Sequence, residues 1–220
     1  MKEDIVVRFV GSAGDGLVSL GLLFGKILKK HNMNVLGFRS YQSVIRGGYN
    51  SYQIRFSDKE VLSVGEDADI IVLLNKHVAE LHNPLVNSDA RVIYDNENID
   101  LEELEYPEDI IKLSLPSVSI AKEITNIKVI KNSVVFGAIS FLLGLDIKLI
   151  KEVIVEQYGI KGEEVIKINY EALDKGISFA KEKMWAPIWV KGKYEKAIQM
   201  IIGGNEALAL GLALVLHFLQ

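Results

Sequence analysis

Two glycine-bearing stretches hold the residue types best suited to chemistry. Gly11-Ser12-Ala13-Gly14-Asp15-Gly16 follows a β-branched run and opens a helical pattern. A turn of this kind lets backbone amides approach an anion closely, with a helix dipole behind them. Ala13 stands where the dinucleotide fingerprint has its second glycine, and no Lys-Ser/Thr pair of a P-loop follows. Two readings of Gly11, Ser12, Gly14 and Gly16 therefore stand: an anion-binding loop, or a tight turn without a ligand. The second stretch, Ser40-Tyr41-Gln42-Ser43-Val44-Ile45-Arg46-Gly47-Gly48-Tyr49-Asn50, brings two serine hydroxyls, an arginine and a glycine pair between two predicted strands. Those groups suit a loop that approaches a carboxylate or phosphate without steric bulk. A hairpin loop with a solvated arginine accounts for the same composition.

The remaining polar residues give weaker signals. His31 ends a predicted helix, where a cap or solvated position suffices. His77 and His82 are five apart, off the spacing that puts two ligands on one helix face, so no metal site is expected. His217 falls in an apolar helix, and the acidic stretch 97–108 reads as solvated surface. Asn205 and Glu206 stand at the start of the last helical pattern, where they serve as caps.

The elements that must position these residues follow from hydrophobic periodicity. Residues 5–10 form a strand, the glycine turn follows, and residues 17–30 carry apolar side chains at helical spacing. Residues 35–38 read as a second strand, and residues 49–56 and 60–64 as a hairpin turned by Ser57-Asp58-Lys59. Residues 69–74, 91–94 and 110–115 are apolar runs of the kind buried on both faces of a sheet, with a helical segment containing Pro84 between the first two. From 117 onward the pattern is mainly helical, through 134–143, 147–158 and 163–183. This order predicts an α/β fold: a three-layer domain over residues 1–183 with a mixed, mainly parallel sheet. Residues 184–193 collect both tryptophans, Pro187 and Gly192 and read as a linker with aromatic anchors. Residues 194–220 form a partial helical segment, interrupted at 203–207 and resuming at Leu208.

With 220 residues and 49% hydrophobic side chains, the chain buries a full core, which excludes disorder and a disulfide scaffold. It has no cysteine, so iron–sulfur clusters, thiolate-held zinc and thiol nucleophiles must sit on a partner. The net charge of -4 gives no overall footprint for nucleic acid or an anionic membrane. The start shows no leader-type pattern, and the most apolar window, 207–219, is shorter than the ~20 residues needed to cross a bilayer. A cytoplasmic protein is expected.

The glycine turn, the run from Tyr41-Gln42-Ser43 through Arg46-Gly47-Gly48-Tyr49-Asn50 to Phe56-Ser57-Asp58, Lys131-Asn132-Ser133-Val134-Val135-Phe136-Gly137-Ala138, and the segment from Lys161-Gly162 to Lys175-Gly176 occur in order. Together they resemble the gamma domain of the 2-oxoacid:ferredoxin oxidoreductases, in the form fused to the N-terminus of the alpha subunit. Gly203-Gly204-Asn205-Glu206-Ala207 resembles the opening of the domain that holds the pyrimidine end of thiamine diphosphate, here truncated at Gln220 before the Tyr-Pro-Ile-Thr-Pro motif of 2-oxoacid recognition. The resemblance implies a contribution to coenzyme A-dependent oxidative decarboxylation of a 2-oxoacid such as pyruvate or 2-oxoglutarate, with electrons passed to ferredoxin. It implies no cofactor on this chain alone; thiamine diphosphate, iron–sulfur clusters and coenzyme A belong to the complete enzyme. The implied partners are the remaining alpha-subunit domains, a beta subunit and ferredoxin, with a homo-oligomer as a further arrangement, and the chain alone is expected to be inactive. Ser43, Arg46, Gly47, Gly48 and Asn50 are the expected substrate or coenzyme A residues.

Two other functions remain open. One is a Rossmann-like nucleotide oxidoreductase, weakened because Phe38-Arg39-Ser40 occupies the place of the ribose-binding acid, although Arg39 suits a 2′-phosphate. The other is a non-enzymatic binding or assembly module, with residues 184–220 docking on a partner. The apolar helix 207–219, if it lacks its own sheet, is expected to fray, pack back on Trp185 and Trp189, or oligomerise.

Overall fold

A computed structural model describes residues 4–41, 48–81, 86–188 and 201–218. Its centre is a six-stranded sheet built from β1 (Asp4–Gly11), β2 (Asn34–Tyr41), β3 (Asn50–Ser57), β4 (Ala68–Leu73), β5 (Val86–Tyr94) and β6 (Ile111–Ser114). The order is β2-β3-β1-β4-β5-β6. β3 runs antiparallel to both β1 and β2, whereas β1, β4, β5 and β6 are mutually parallel. The sheet is thus mixed and mainly parallel, as expected from the sequence.

The hairpin is placed differently from the sequence expectation. β3 pairs with β2 from Asn34 opposite Ser57 to Tyr41 opposite Asn50, and residues 60–64 form no strand. Side chains hold that segment in place of a ladder. Gln53 Nε2 donates to the Val64 and Gly65 carbonyls at 2.7 and 2.8 Å, and Arg55 donates to Ser63 Oγ at 2.6 Å. The apolar alternation at 60–64 misled because Leu62 points to solvent.

Alternation along β1 splits the core into two layers. Ile5, Val7 and Phe9 face a large cluster shared with α1 (Leu17–Lys30), α3 (Ser117–Ile124), α4 (Lys131–Leu143), α5 (Ile147–Tyr158) and α6 (Glu163–Glu182). Phe24 of α1 is its aromatic hub, with ring centroids 5.7 Å from Phe9, 5.9 Å from Phe56 and 6.0 Å from Phe136. The two edge-on pairs, with Phe9 and Phe56, add about 0.5 to 1.5 kcal/mol each beyond area burial. Val6 and Val10 face a smaller cluster covered by α2 (Lys76–Leu81) and the turn at Leu101–Glu103. Pro84 lies outside the described residues. The third layer is therefore thin.

α4 is buried nearly all round because it lies between the sheet and α6. The two helices meet through Gly137 and Gly176. A Cβ at either position would fall 2.0 Å from a backbone carbonyl oxygen of the other helix, Leu173 O or Val134 O. Trp185 and Ile188 extend the same core, and the Ile188 amide donates to the Leu142 carbonyl at 2.5 Å.

α7 (Gly204–Phe218) begins earlier than expected, at the glycine pair and not at Leu208. The Gly203 amide donates to Glu206 Oε2 at 2.5 Å, the back-reaching half of a capping box. Leu208, Leu210 and Leu212 are exposed, and Trp185 belongs to the main core. Trp189 lies outside the described residues, as does the predicted helix start at Tyr194.

Candidate functional site

The register of the sheet brings the two glycine-bearing stretches together. Gly11 at the end of β1 stands opposite Asn50 at the start of β3, and Asn50 stands opposite Tyr41 at the end of β2. The β1–α1 turn and the β2–β3 connection therefore leave the sheet at the same edge, where the parallel strands end and α/β folds bind ligands. A cavity of about 470 Å³ opens between them. Ser12, Gly14, Gly16 and Val18 form one wall, and Arg39, Tyr41, Asn50 and Ser51 the other. Arg39 lies over the Tyr41 ring, 5.1 Å from its centroid, which leaves a cation and an aromatic face side by side at the rim.

The turn is held from within by a carboxylate. Asp15 Oδ2 accepts the Ser12 amide at 2.7 Å and also accepts from Asn75 Nδ2, which donates to Ser12 Oγ at 3.1 Å. Lys131 Nζ donates to the Leu74 carbonyl at 2.9 Å and stands 3.4 Å from Asp15 Oδ1. Asn132 Nδ2 donates to the Asp15 carbonyl at 2.8 Å. Asn75 in turn caps α2 by accepting the Val78 amide at 3.0 Å. Asp15 thus supplies the anion that the Ser12 amide would otherwise seek.

The next amides are not filled in that way. Gly16 is the N-cap of α1 with φ +78°, and it makes no side-chain cap. The first turn of α1 contains no acidic residue. A Cβ at Gly16 would lie 2.9 Å from Asn132 Nδ2 in a left-handed backbone that side chains rarely adopt. The turn can therefore be stiff and still present the positive end of a helix to the cavity.

Of the residues singled out from sequence, Ser12, Gly14, Gly16 and Asn50 line this cavity. Gly11 lies just behind it in β1, where a Cβ would come 3.0 Å from Asp15 Oδ2. Gly48, close to Asn50 in the chain, adopts a left-handed φ of +77°. Ser43, Arg46 and Gly47 lie outside the described residues. Sequence reasoning passed over Asp15, Asn75 and Lys131. The available signal was their position: Asn75 directly follows β4 and Lys131 opens α4, both at the strand ends around the turn.

His31 is a buried structural residue. Its Nε2 accepts the Asp146 amide at 2.8 Å, so Nδ1 carries the proton and donates to the Ile27 carbonyl at 2.8 Å. Among the described residues, no group of three or more His, Asp or Glu side chains is arranged to hold a metal ion. No helix among them is long and apolar enough to cross a membrane.

The strand order also separates this fold from the dinucleotide-binding arrangement. β3 is inserted between β1 and β2, so the two strands that would flank a Rossmann turn are not neighbours.

Known proteins share this architecture. The 2-oxoglutarate synthase subunit KorC of Archaeoglobus fulgidus is 24% identical over 185 residues, covering 84% of this chain and 94% of KorC. Pyruvate:ferredoxin oxidoreductase of Moorella thermoacetica is 27% identical over 210 residues, 86% of this chain but 18% of that protein. A 2-oxoglutarate:ferredoxin oxidoreductase structure from Magnetococcus marinus, with 2-oxoglutarate, coenzyme A and succinyl-CoA bound, superposes with a TM-score of 0.86 at 31% identity. That likeness covers 96% of this chain and 37% of the larger one. The pyruvate oxidoreductase subunit PORC of Thermotoga maritima shares the fold, with a TM-score of 0.67 at 18% identity over 80% of this chain and 97% of PORC. The family model for pyruvate ferredoxin/flavodoxin oxidoreductase matches residues 6–179, which span the sheet, the glycine turn and the helices around it, and the chain belongs to that family.

Proposed function

We propose that this chain is the gamma domain of a 2-oxoacid:ferredoxin oxidoreductase and that its cavity forms one wall of the coenzyme A site. The observation that supports this most is the row Gly11, Asn50, Tyr41, which sets the glycine turn and the β2–β3 connection side by side at the ligand-binding edge of the sheet. The complete reaction converts a 2-oxoacid, coenzyme A and two oxidised ferredoxins into acyl-CoA, carbon dioxide, two reduced ferredoxins and a proton. Thiamine diphosphate supplies the carbanion chemistry when bound elsewhere in the assembly. With no cysteine among these residues, the iron–sulfur clusters are held elsewhere in the assembly.

The donor set fits the phosphates of coenzyme A. Arg39 supplies a cation, Ser12 and Ser51 supply hydroxyls, and the start of α1 supplies amides without a competing acidic side chain. On this reading Ser43, Arg46, Gly47, Gly48 and Asn50 are the residues that meet substrate or coenzyme A, with Arg46 pairing an anionic group of either. Residues 1–183 form the gamma-type domain, 184–193 the linker, and 194–220 the opening of the pyrimidine-binding domain. The working partners are the remaining alpha-subunit domains, a beta subunit carrying thiamine diphosphate and clusters, and ferredoxin, in the cytoplasm.

Coexpression with the complementary alpha portion and beta subunit tests this reading. The assembly should reduce ferredoxin or a viologen dye only when both coenzyme A and a 2-oxoacid are present, and the chain alone should not. Arg46→Ala should raise the apparent KM for one of the two substrates about tenfold or more, the usual consequence of losing a charge-assisted hydrogen bond. An inactive assembly would sink the functional assignment. Unchanged kinetics in the variant would return Arg46 to the solvated surface.

A further inference from the structure

A second cavity, of about 530 Å³, lies on the opposite side of the glycine turn. Gly14 and Asp15 form its floor, and Lys122, Thr125, Lys128 and Lys131 form its walls. The lining is mostly apolar, and its charged residues are three lysines and one aspartate, an excess of positive charge in a chain whose net charge is -4. The nearby acids do not offset this. Glu123 of α3 pairs with Lys175 at 2.6 Å, and Glu97 accepts from the Ser119 hydroxyl. Among the described residues, Lys122 and Lys128 have no ion-pair partner. Lys131 is anchored by the Leu74 carbonyl and Asp15, which account for two of its three N–H donors.

We propose that this cavity is a phosphate subsite, separate from the Arg39 cavity, that takes the phosphate or diphosphate group of a small molecule. Like charges brought together at a concave surface repel one another, and an occupant carrying two or more negative charges relieves that repulsion. Lysines placed around a recess act as point charges toward phosphate, and the Gly14 backbone borders the site without a side chain in the way. A flat acidic protein surface would not reach such a recess, so the concave shape favours a small anion.

The phosphate has two possible sources. It can belong to the same nucleotide-bearing ligand that enters the Arg39 cavity, since Gly14 borders both cavities. It can also belong to an independent phosphorylated molecule. Calorimetric titration of the full chain with pyrophosphate, then with adenosine 3′,5′-bisphosphate, tests the subsite directly. In the Arg39→Gln background, which removes the cation of the other cavity, binding is expected to weaken steeply with salt and to fall about tenfold or more when Lys122→Gln and Lys128→Gln are added. Pyrophosphate displaced by coenzyme A assigns the subsite to that ligand, and additive binding assigns it to a separate one; both support the proposal. No binding at millimolar pyrophosphate in that background, or binding unchanged by the two lysine changes, overturns it. Neither overturning result bears on the reconstitution experiment, so the two proposals fail independently.

Discussion

At the scale of single residues, Asp15 decides whether the glycine turn has one shape. Its carboxylate gathers the Ser12 amide, the Asn75 side chain and the Lys131 ammonium around one point. Asp15→Ala leaves those donors without their shared acceptor in a partly buried place, which should cost about 1 to 3 kcal/mol in a urea unfolding titration. Asp15→Asn keeps one acceptor oxygen and should lose less. Equal stability of Asp15→Ala and the parent chain would show that the turn is held by its backbone alone. Partly buried phenols make a second prediction at this scale. Burial pushes Tyr49, Tyr52, Tyr106 and Tyr158 above the ordinary tyrosine value. The folded chain therefore keeps protons that the unfolded chain releases near pH ~10, so this stabilisation is intact below that pH and lost as pH rises. Tyrosinate absorbance of the native chain should lag that of the urea-unfolded chain, and the urea midpoint should fall above about pH 10.

At the scale of elements, glycine has opposite consequences in two helices. Gly137 and Gly176 let the α4 and α6 backbones touch, with no room for a methyl group. Gly137→Ala or Gly176→Ala should destabilise by at least about 1 to 3 kcal/mol despite the better helix propensity of alanine, because the helices must separate. Gly211 of α7 has nothing within 4 Å of an added Cβ. Gly211→Ala should raise the helicity of α7 by about 1 kcal/mol of local stability without moving the global unfolding midpoint. Glu206 offers a complementary test. Glu206→Ala should speed amide exchange across the first turns of α7, by about 0.3 to 1 kcal/mol, while Glu206→Gln, which still reaches back to the Gly203 amide, should retain part of the protection. Exchange unaffected by either change would separate α7 from its cap.

At the scale of the whole molecule, the sheet is an alignment device. Because β3 lies between β1 and β2, the β2–β3 connection emerges beside the β1–α1 turn instead of across the sheet from it. α4 carries the second half of the arrangement, since its first residues bind the back of the turn while its body is clamped by α6. A change at the helix crossing should therefore be felt at the site. Gly137→Ala in the reconstituted assembly is expected to raise the apparent coenzyme A requirement at temperatures where the variant remains folded. An unchanged requirement would show that the turn is insulated from the crossing.

Local signals in the sequence determined the α/β class, the strand at β1, the helices from 131 to 182 and the glycine turn after β1. Each rests on periodicity or backbone freedom within a few residues: Ile5, Val7 and Phe9 against Val6 and Val10, or the glycines around Asp15. The partner of β3 was not legible, because residues 60–64 and β2 both carry apolar side chains and both are largely exposed, so the backbone ladder from Asn34 opposite Ser57 to Tyr41 opposite Asn50 distinguishes them. Leu62 is exposed, whereas β2 completes the edge of the sheet. The Asp15, Asn75 and Lys131 cluster was invisible for a related reason. Its members are separated by 60 and 116 residues and meet only because parallel strands end on one edge. Sequence sets what each segment can bury and which turns it can make. Tertiary structure alone decides which distant polar groups are left facing one another.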